Sequence, residues 1–391
     1  MHSSSSNLYN KRWVFWAACI GILLFGMGII TLGSIKQAIS VRYGLNDIGA
    51  GTLFSILPLG ILLGSLFFGP ACDKYGYKFI LACCCLAMCL GFEGIAYASS
   101  TTVLKLGVFL FGLGGGAING ATSALVADLS AAKKGANLSI LGVFFGLGAL
   151  GMPFLLGILE HRFSYDAIVS MVGLVTFGLG IIYLCIKFPA PKQTGGFPMK
   201  EGIGLLKDKV ILLIAFFLFC QSSFEAIINN WTTSYLTGFK LLAADQALYA
   251  LSLFVVGMTL MRILLGSVLS NLKAASLWIL AFVLLGAGLV LLICSSTYVM
   301  AVIALMLMGA GLAGGFPLML GLVGDRYKTL SGTAFGLVLV IALAGNMLIN
   351  YVVGIIAEKF GIEYLTTVAL IEWIVMILLC VAILKRIKVH K

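Results

Sequence analysis

Apolar residues run through this chain in long blocks, many of 18 or more, set apart by short polar joints. A helix needs about 20 such residues to cross roughly 30 Å of hydrocarbon. The blocks predict twelve spans, near residues 13–39, 47–71, 77–98, 102–130, 137–159, 166–187, 210–236, 244–270, 275–296, 298–324, 332–357 and 364–384. The fold class that follows is an all-α membrane protein: twelve transmembrane helices in two six-helix, pseudo-symmetric bundles.

The polar interval from Lys187 to Lys209 carries Pro189, Pro191, Gly195, Gly196 and Pro198, which is a linker composition. It divides the chain into a tail (1–12), a first bundle (13–187), a linker (188–209), a second bundle (210–384) and a tail (385–391). The halves repeat at an offset of 197 residues. Asp128 and Gly135 map to Asp325 and Gly332, and Gly60, Gly69, Gly112, Gly114, Gly148 and Gly157 map to Gly257, Gly266, Gly309, Gly311, Gly345 and Gly354. A six-span unit duplicated in parallel suits alternating access about a midplane site.

Composition agrees with the pattern and then narrows it. Of 391 residues 61% are hydrophobic and only 10% charged, against about 25% charged in soluble domains. A net charge of +11 would suggest nucleic acid in a soluble domain. Here 18 of the 25 Lys and Arg fall in or beside segments on the N-terminal side, and only Arg42, Arg162, Lys240 and Lys359 fall in the opposite loops. That bias places both termini in the cytoplasm and makes the charge a matter of topology, with no nucleic-acid partner. The segment MHSSSSNLYN lacks a charged n-region and reads as a cytoplasmic tail. None of the ten Cys lies in an outer loop, so no disulfide framework is implied. The Cys83–Cys85 run has no His near it and reads as small apolar filler, not a metal site. His2, His161 and His390 sit in tails and a loop, and no Walker loop is present. The expectation is a protein that is not an enzyme, uses no cofactor and does not draw directly on ATP.

The run Gly69-Pro70-Ala71-Cys72-Asp73-Lys74-Tyr75-Gly76-Tyr77-Lys78, between spans two and three, resembles the signature loop of the major facilitator superfamily. Within it the chain is similar to the fucose permease-like group of sugar–proton symporters. That likeness rests on Gly114-Gly115-Gly116-Ala117-Ile118-Asn119-Gly120 through Asp128, on Phe144–Ala149, and on Glu225, Trp231, Tyr235, Leu236, Gly257, Arg262 and Gly315-Phe316-Pro317. It implies a bacterial inner-membrane importer of a sugar or sugar-like solute, proton-coupled and monomeric, surrounded by the lipid bilayer. The chain departs from that group in having no acid in residues 13–39 and Asn119 where an acid stands in helix four. An exporter of amphipathic compounds and a sugar-acid or organic-anion symporter are the alternatives within the superfamily.

Ionisable groups inside spans are costly and face a cavity by default. Glu225, near the middle of span seven, shares a face with Gln221, Asn229 and Thr232 at helical spacing. It is the candidate proton carrier, with Trp231 to the side as a stacking platform for a sugar. Arg262 in span eight either binds solute, pairs with Glu225, anchors an inner gate or snorkels. Asn119, Thr122 and Ser123 in span four, with Asn346 and Asn350 in span eleven, form polar stripes that suit a polyhydroxylated ligand or serve as interhelical glue. Asp73, Lys74, Gly76, Asp128, Asp325 and Arg326, at cytoplasmic helix ends, are candidate gate residues. Glu93 and Glu372 read as packing residues, and Lys36 as a snorkelling span-end lysine.

Overall fold

A computed structural model describes residues 9–129, 134–159, 162–189, 204–205, 207–271, 274–327 and 331–389. The side chains of Asp73, Lys74, Asp128 and Asp325 lie outside the described residues. The helices are α1 (Lys11–Ser34), α2 (Lys36–Tyr43), α3 (Asp47–Tyr75), α4 (Tyr77–Tyr97), α5 (Thr101–Leu129), α6 (Lys134–Leu159) and α7 (Tyr165–Cys185), followed by α8 (Lys209–Gly238), α9 (Ala244–Gly266), α10 (Ala274–Cys294), α11 (Tyr298–Leu312), α12 (Gly315–Arg326), α13 (Ser331–Phe360) and α14 (Leu365–Val389). Twelve helical stretches among the described residues are long and apolar enough to cross a membrane. No strand occurs among those residues, as expected where lipid leaves backbone groups to pair within helices.

Local chemistry sets the helix ends. Ser164, Asp208 and Thr297 cap α7, α8 and α11 by accepting from the amides of Ala167, Val210 and Met300. Gly76 holds the turn between α3 and α4 at φ 79°, a backbone conformation that costs other residues a steric penalty. Its amide donates to the Cys72 carbonyl at 2.8 Å.

Two predicted spans are interrupted. The first ends at Ser34, and α2 restarts the chain at Lys36 instead of continuing unbroken to residue 39. The tenth breaks at Ala313–Gly314 between α11 and α12, where a β-carbon on Gly315 would overlap the Gln221 amide. The break at these glycines is what admits that side chain.

The chain forms two compact units. One comprises Met1–Thr31 and Ile56–Gly196, the other Leu32–Ser55 and Phe197–Lys391. The division differs from a cut at the linker, because the end of α1, all of α2 and the start of α3 belong with the second unit. In the first unit α4 packs against α5 and α7. In the second, α11 packs against α9 and α10, and α8 against α13 and α14.

The internal repeat reappears as repeated contacts within each unit. A β-carbon on Gly112 would meet the Leu57 carbonyl, and one on Gly309 would meet that of Phe254, each partner also 197 residues on. Gly60 abuts Phe109 as Gly257 abuts Met306. Gly114 abuts Cys84 and Met88 as Gly311 abuts Ala281 and Leu285. Small residues let backbones approach where no hydrophobic force drives helix association, so these pairs fix the same packing twice.

Candidate functional site

The middle of α8 carries the polar face that the sequence predicts, and the structure shows what each group on it lacks. Gln221 is buried, and its Nε2 donates to the Leu312 carbonyl at 3.0 Å and to Glu225 Oε1 at 3.3 Å. Leu312 ends α11, so the interrupted tenth span supplies a backbone acceptor that an unbroken helix would use internally. The Oε1 of Gln221 and the Oδ1 of Asn229 are buried without a protein partner. Glu225 is half-buried. Arg262, four residues before the end of α9, is half-buried, has an unpartnered Nε and lies within electrostatic reach of Glu225. The cluster thus offers two unpartnered amide oxygens and one unpartnered guanidinium Nε beside a carboxylate held by a single long hydrogen bond, in a part of the membrane where such groups are expensive.

One turn along, Asn350 draws the polar groups into hydrogen bonds between helices, although Asn230 Oδ1, Thr232 Oγ1 and Ser234 Oγ stay unpartnered. Asn350 on α13 is fully buried, and its Oδ1 accepts from Asn230 Nδ2 at 3.1 Å and from Trp231 Nε1 at 3.2 Å. Its Nδ2 donates to the Asn346 carbonyl at 2.8 Å and to Asn346 Oδ1 at 3.1 Å. Asn346 Nδ2 reaches the Ser222 carbonyl at 3.3 Å. Asn350 therefore ties α8 to α13, with both its amide oxygen and its amide nitrogen engaged within the protein. Asn230, absent from the predicted set, belongs to the same node. Trp231 is buried with no exposed surface. Its ring meets Phe54 in a T-shaped contact at 5.4 Å between centroids, and the Lys36 ammonium lies over it at 4.1 Å, so a protein cation already contacts the ring expected to stack on a sugar.

Lys36 does not snorkel. It is 7% exposed, and its Nζ pairs with Asp47 Oδ1 at 2.6 Å. Burial pushes the Lys36 ammonium below the ordinary lysine range, while the hydrogen bond and charge of Asp47 oppose that shift.

In the first unit the predicted stripe separates into different fates. Asn119 is exposed and Ser123 half-buried, but Thr122 is fully buried, and its hydroxyl returns to the Ile118 carbonyl at 2.7 Å. Thr122 is satisfied within its own helix. Glu93 accepts from Ser170 Oγ at 2.9 Å, joining α4 to α7. Glu372 lies beside Cys220, with one carboxyl oxygen unpartnered.

Of the expected gate residues, the side chains of Asp73, Lys74, Asp128 and Asp325 lie outside the described residues. Gly76 makes the turn noted above. Arg326 ends α12 and pairs with Asp208 Oδ2 at 3.3 Å. That ion pair falls inside the second unit, so it does not join the two halves. Burial alone would raise the Asp208 carboxyl, but hydrogen bonds from Tyr327 and the Val210 amide, with the Arg326 charge, hold it below the usual carboxylate range. Burial and the bond to Asp208 push the Tyr327 phenol up to about 12. None of the ten Cys is in a disulfide, and the described residues hold no cluster of metal-ligating side chains.

Comparison with known proteins places these features in a family. Residues 18–280 match the model described as Major Facilitator Superfamily. The chain is 21% identical over 357 residues to the uncharacterized MFS-type transporter YfkL of Bacillus subtilis, covering 88% of this chain and 89% of that protein. It is 28% identical over 177 residues to the 4-hydroxybenzoate transporter PcaK of Pseudomonas aeruginosa, covering 44% of this chain and 39% of that protein. The crystal structure of the nucleoside transporter NupG superposes with a TM-score of 0.78 over 97% of this chain and 99% of that one, at 16% identity.

Proposed function

The chain belongs to the Major Facilitator Superfamily, and from that premise we propose that it imports a sugar or sugar-like polar solute by alternating access, coupled to protons. In this reading both termini are cytoplasmic, the membrane is a bacterial inner membrane and the working unit is a monomer. The likeness to NupG extends to the fold alone, so the solute class rests on side chains. The observation that carries it is the set of unused polar atoms at the middle of α8: Gln221 Oε1 and Asn229 Oδ1 are buried without partners beside a half-buried Glu225. Neutral acceptors of this kind suit hydroxyl donors on a polyol. The resemblance of the sequence to fucose permease-like symporters supports the same class.

Glu225 is the proton carrier in this proposal. Its hydrogen bond from Gln221, at 3.3 Å, is long, and its carboxyl lies on the face that solute would contact. The test is uptake into proteoliposomes with an imposed pH gradient, using a panel of neutral sugars and sugar acids. Glu225→Gln should abolish uphill accumulation while counterflow exchange of the same sugar continues. Unchanged accumulation would remove Glu225 from the coupling, and no uptake of any panel member by the parent would refute the solute class.

One observation favours a second reading. Arg262 Nε has no protein partner, and a guanidinium recognises carboxylates in a forked geometry. A sugar acid would use that capacity where a neutral sugar would not.

A further inference from the structure

Residues 32–55 are covalently the end of α1, all of α2 and the start of α3, yet they pack as part of the second unit. Each contact they make on α8 and α13 is specific. The Gly33 carbonyl accepts from Thr233 Oγ1 at 2.8 Å, and a β-carbon at Gly33 would meet the Asn230 Cα at 2.7 Å. Gln37 Nε2 donates to Thr237 Oγ1. The Asp47 amide donates to Glu358 Oε2 at 2.9 Å, and Ser55 Oγ to the Met347 carbonyl at 2.7 Å. Gly51 and Gly354 face each other with no room for a side chain on either. At the centre is Lys36, which is too buried to be a surface contact.

We propose that Lys36 is the positioning residue of a latch, held by Asp47 against the face of Trp231, that keeps the membrane end opposite the termini closed. The chemistry explains the pairing. A buried ammonium without a counter-ion is costly, and Asp47 offsets part of that cost. The indole face then attracts the cation electrostatically in a desolvated setting. Asp47 lies on the same segment as Lys36, so the pair moves as one body, and the contact that breaks on opening is the one with Trp231. Trp231 Nε1 is bonded to Asn350, Asn350 to Asn346, and Asn346 to the carbonyl of Ser222, next to Gln221. The latch is thereby connected to the helix that bears the solute-facing cluster. An alternative in which Lys36 only fills space predicts no dependence on its charge.

The latch rests on the transport reading, and its test needs no solute. Thr233→Cys, in a background with the native cysteines replaced, reports on the closed end, because Thr233 is buried against Gly33. A second background keeps only Cys72, buried near the other end of α3. A membrane-impermeant maleimide is applied from each side of oriented vesicles. Lys36→Met should speed labelling at position 233 about tenfold, the change expected when a minor open state of about 1% rises to about 10%, without speeding labelling of Cys72. Asp47→Asn should do the same, the double variant should label no faster than Lys36→Met, and Lys36→Arg should stay near the parent rate because a guanidinium also pairs and stacks.

Unchanged labelling at 233 in both Lys36→Met and Asp47→Asn would overturn the latch. Faster labelling at both probes would also overturn it, since that indicates general loosening. If Lys36→Met fails to fold, Asp47→Asn and Lys36→Arg still decide the matter by their opposite expected rates. Uptake by the parent is measured separately, so failure of the latch and failure of the transport reading give different results.

Discussion

Replacing Asn350 with Ala separates a structural asparagine from a ligand-binding one. The side chain is fully buried, and its Oδ1 serves two donors from α8, Asn230 Nδ2 at 3.1 Å and Trp231 Nε1 at 3.2 Å. Alanine leaves both donors facing an apolar void. In water-soluble proteins each orphaned buried group costs about 1–3 kcal/mol. Inside a membrane the unfolded reference state finds partners of its own, and measured interhelical hydrogen bonds average about 0.6 kcal/mol with a maximum near 1.7. The membrane scale governs here, so the two bonds lost to α8 together should cost roughly 1–3 kcal/mol. Reversible unfolding in mixed micelles measures this directly, with no solute present. A purely ligand-facing Asn350 would predict no change in the empty protein and a loss of solute-induced stabilisation only. Equal unfolding free energies for parent and variant would refute the tie between α8 and α13.

The two solute readings part at Arg262. In competition between a neutral sugar and its uronic-acid counterpart, Arg262→Gln should remove any preference for the acid while leaving the neutral sugar within about threefold; an acid preference that survives would take Arg262 out of recognition. At Asp208 the folded-state carboxyl is held below its usual range, so its contribution to stability is present above the unfolded value of about 3.9 and is lost as pH falls through the lower folded value. Asp208→Asn should therefore lower the thermal midpoint by a constant amount between about pH 5 and 8, with the two proteins converging only near pH 4 and below. A gap that closes at neutral pH would show that another group controls the N-terminal end of α8.

The span pattern was legible because hydropathy over about 20 residues is a one-dimensional signal. The offset of 197 was legible because glycines at helix crossings cannot be replaced without moving a backbone. Gly112 and Gly309 show this, their missing β-carbons aimed at the carbonyls of Leu57 and Phe254. The break in span ten carries a local signal as well, in Gly311, Gly314, Gly315 and Pro317 within seven residues, although apolar length alone reads through it. Side-chain roles were less legible, for a physical reason. Helical spacing places Asn346, Asn350, Thr122 and Asn119 on polar stripes, but it does not say whether the partner is solute, another helix or the residue's own backbone. Thr122 bonds to its own helix, Asn350 bonds across helices, and Asn119 is exposed. Lys36 was misread for the same reason. Its burial depends on Asp47, eleven residues on, and on Trp231 in the other half of the sequence, and no periodicity connects those three.

The duplication copies the scaffold without copying the chemistry. Subtracting the repeat offset from Arg262, Asn346 and Asn350 gives Ser65, Ala149 and Pro153, and Glu225 falls opposite Gly28. In the first unit the space beside Gly28 is filled by the ring of Phe111, which packs with Phe25 and Phe92. Ser65 bonds to the Gly116 carbonyl at 3.2 Å. Where the second unit leaves polar atoms unpartnered, the described residues at these matching positions of the first are occupied by aromatic packing and by a hydrogen bond to backbone. A demand for packing alone accounts for the glycine crossings in both copies, but it gives no reason for the buried unpaired acceptors that, among the described residues, occur in the second unit. Those acceptors cost stability wherever they sit, and on α8 they lie beside a carboxylate and a guanidinium, which is the arrangement the proposed solute site requires.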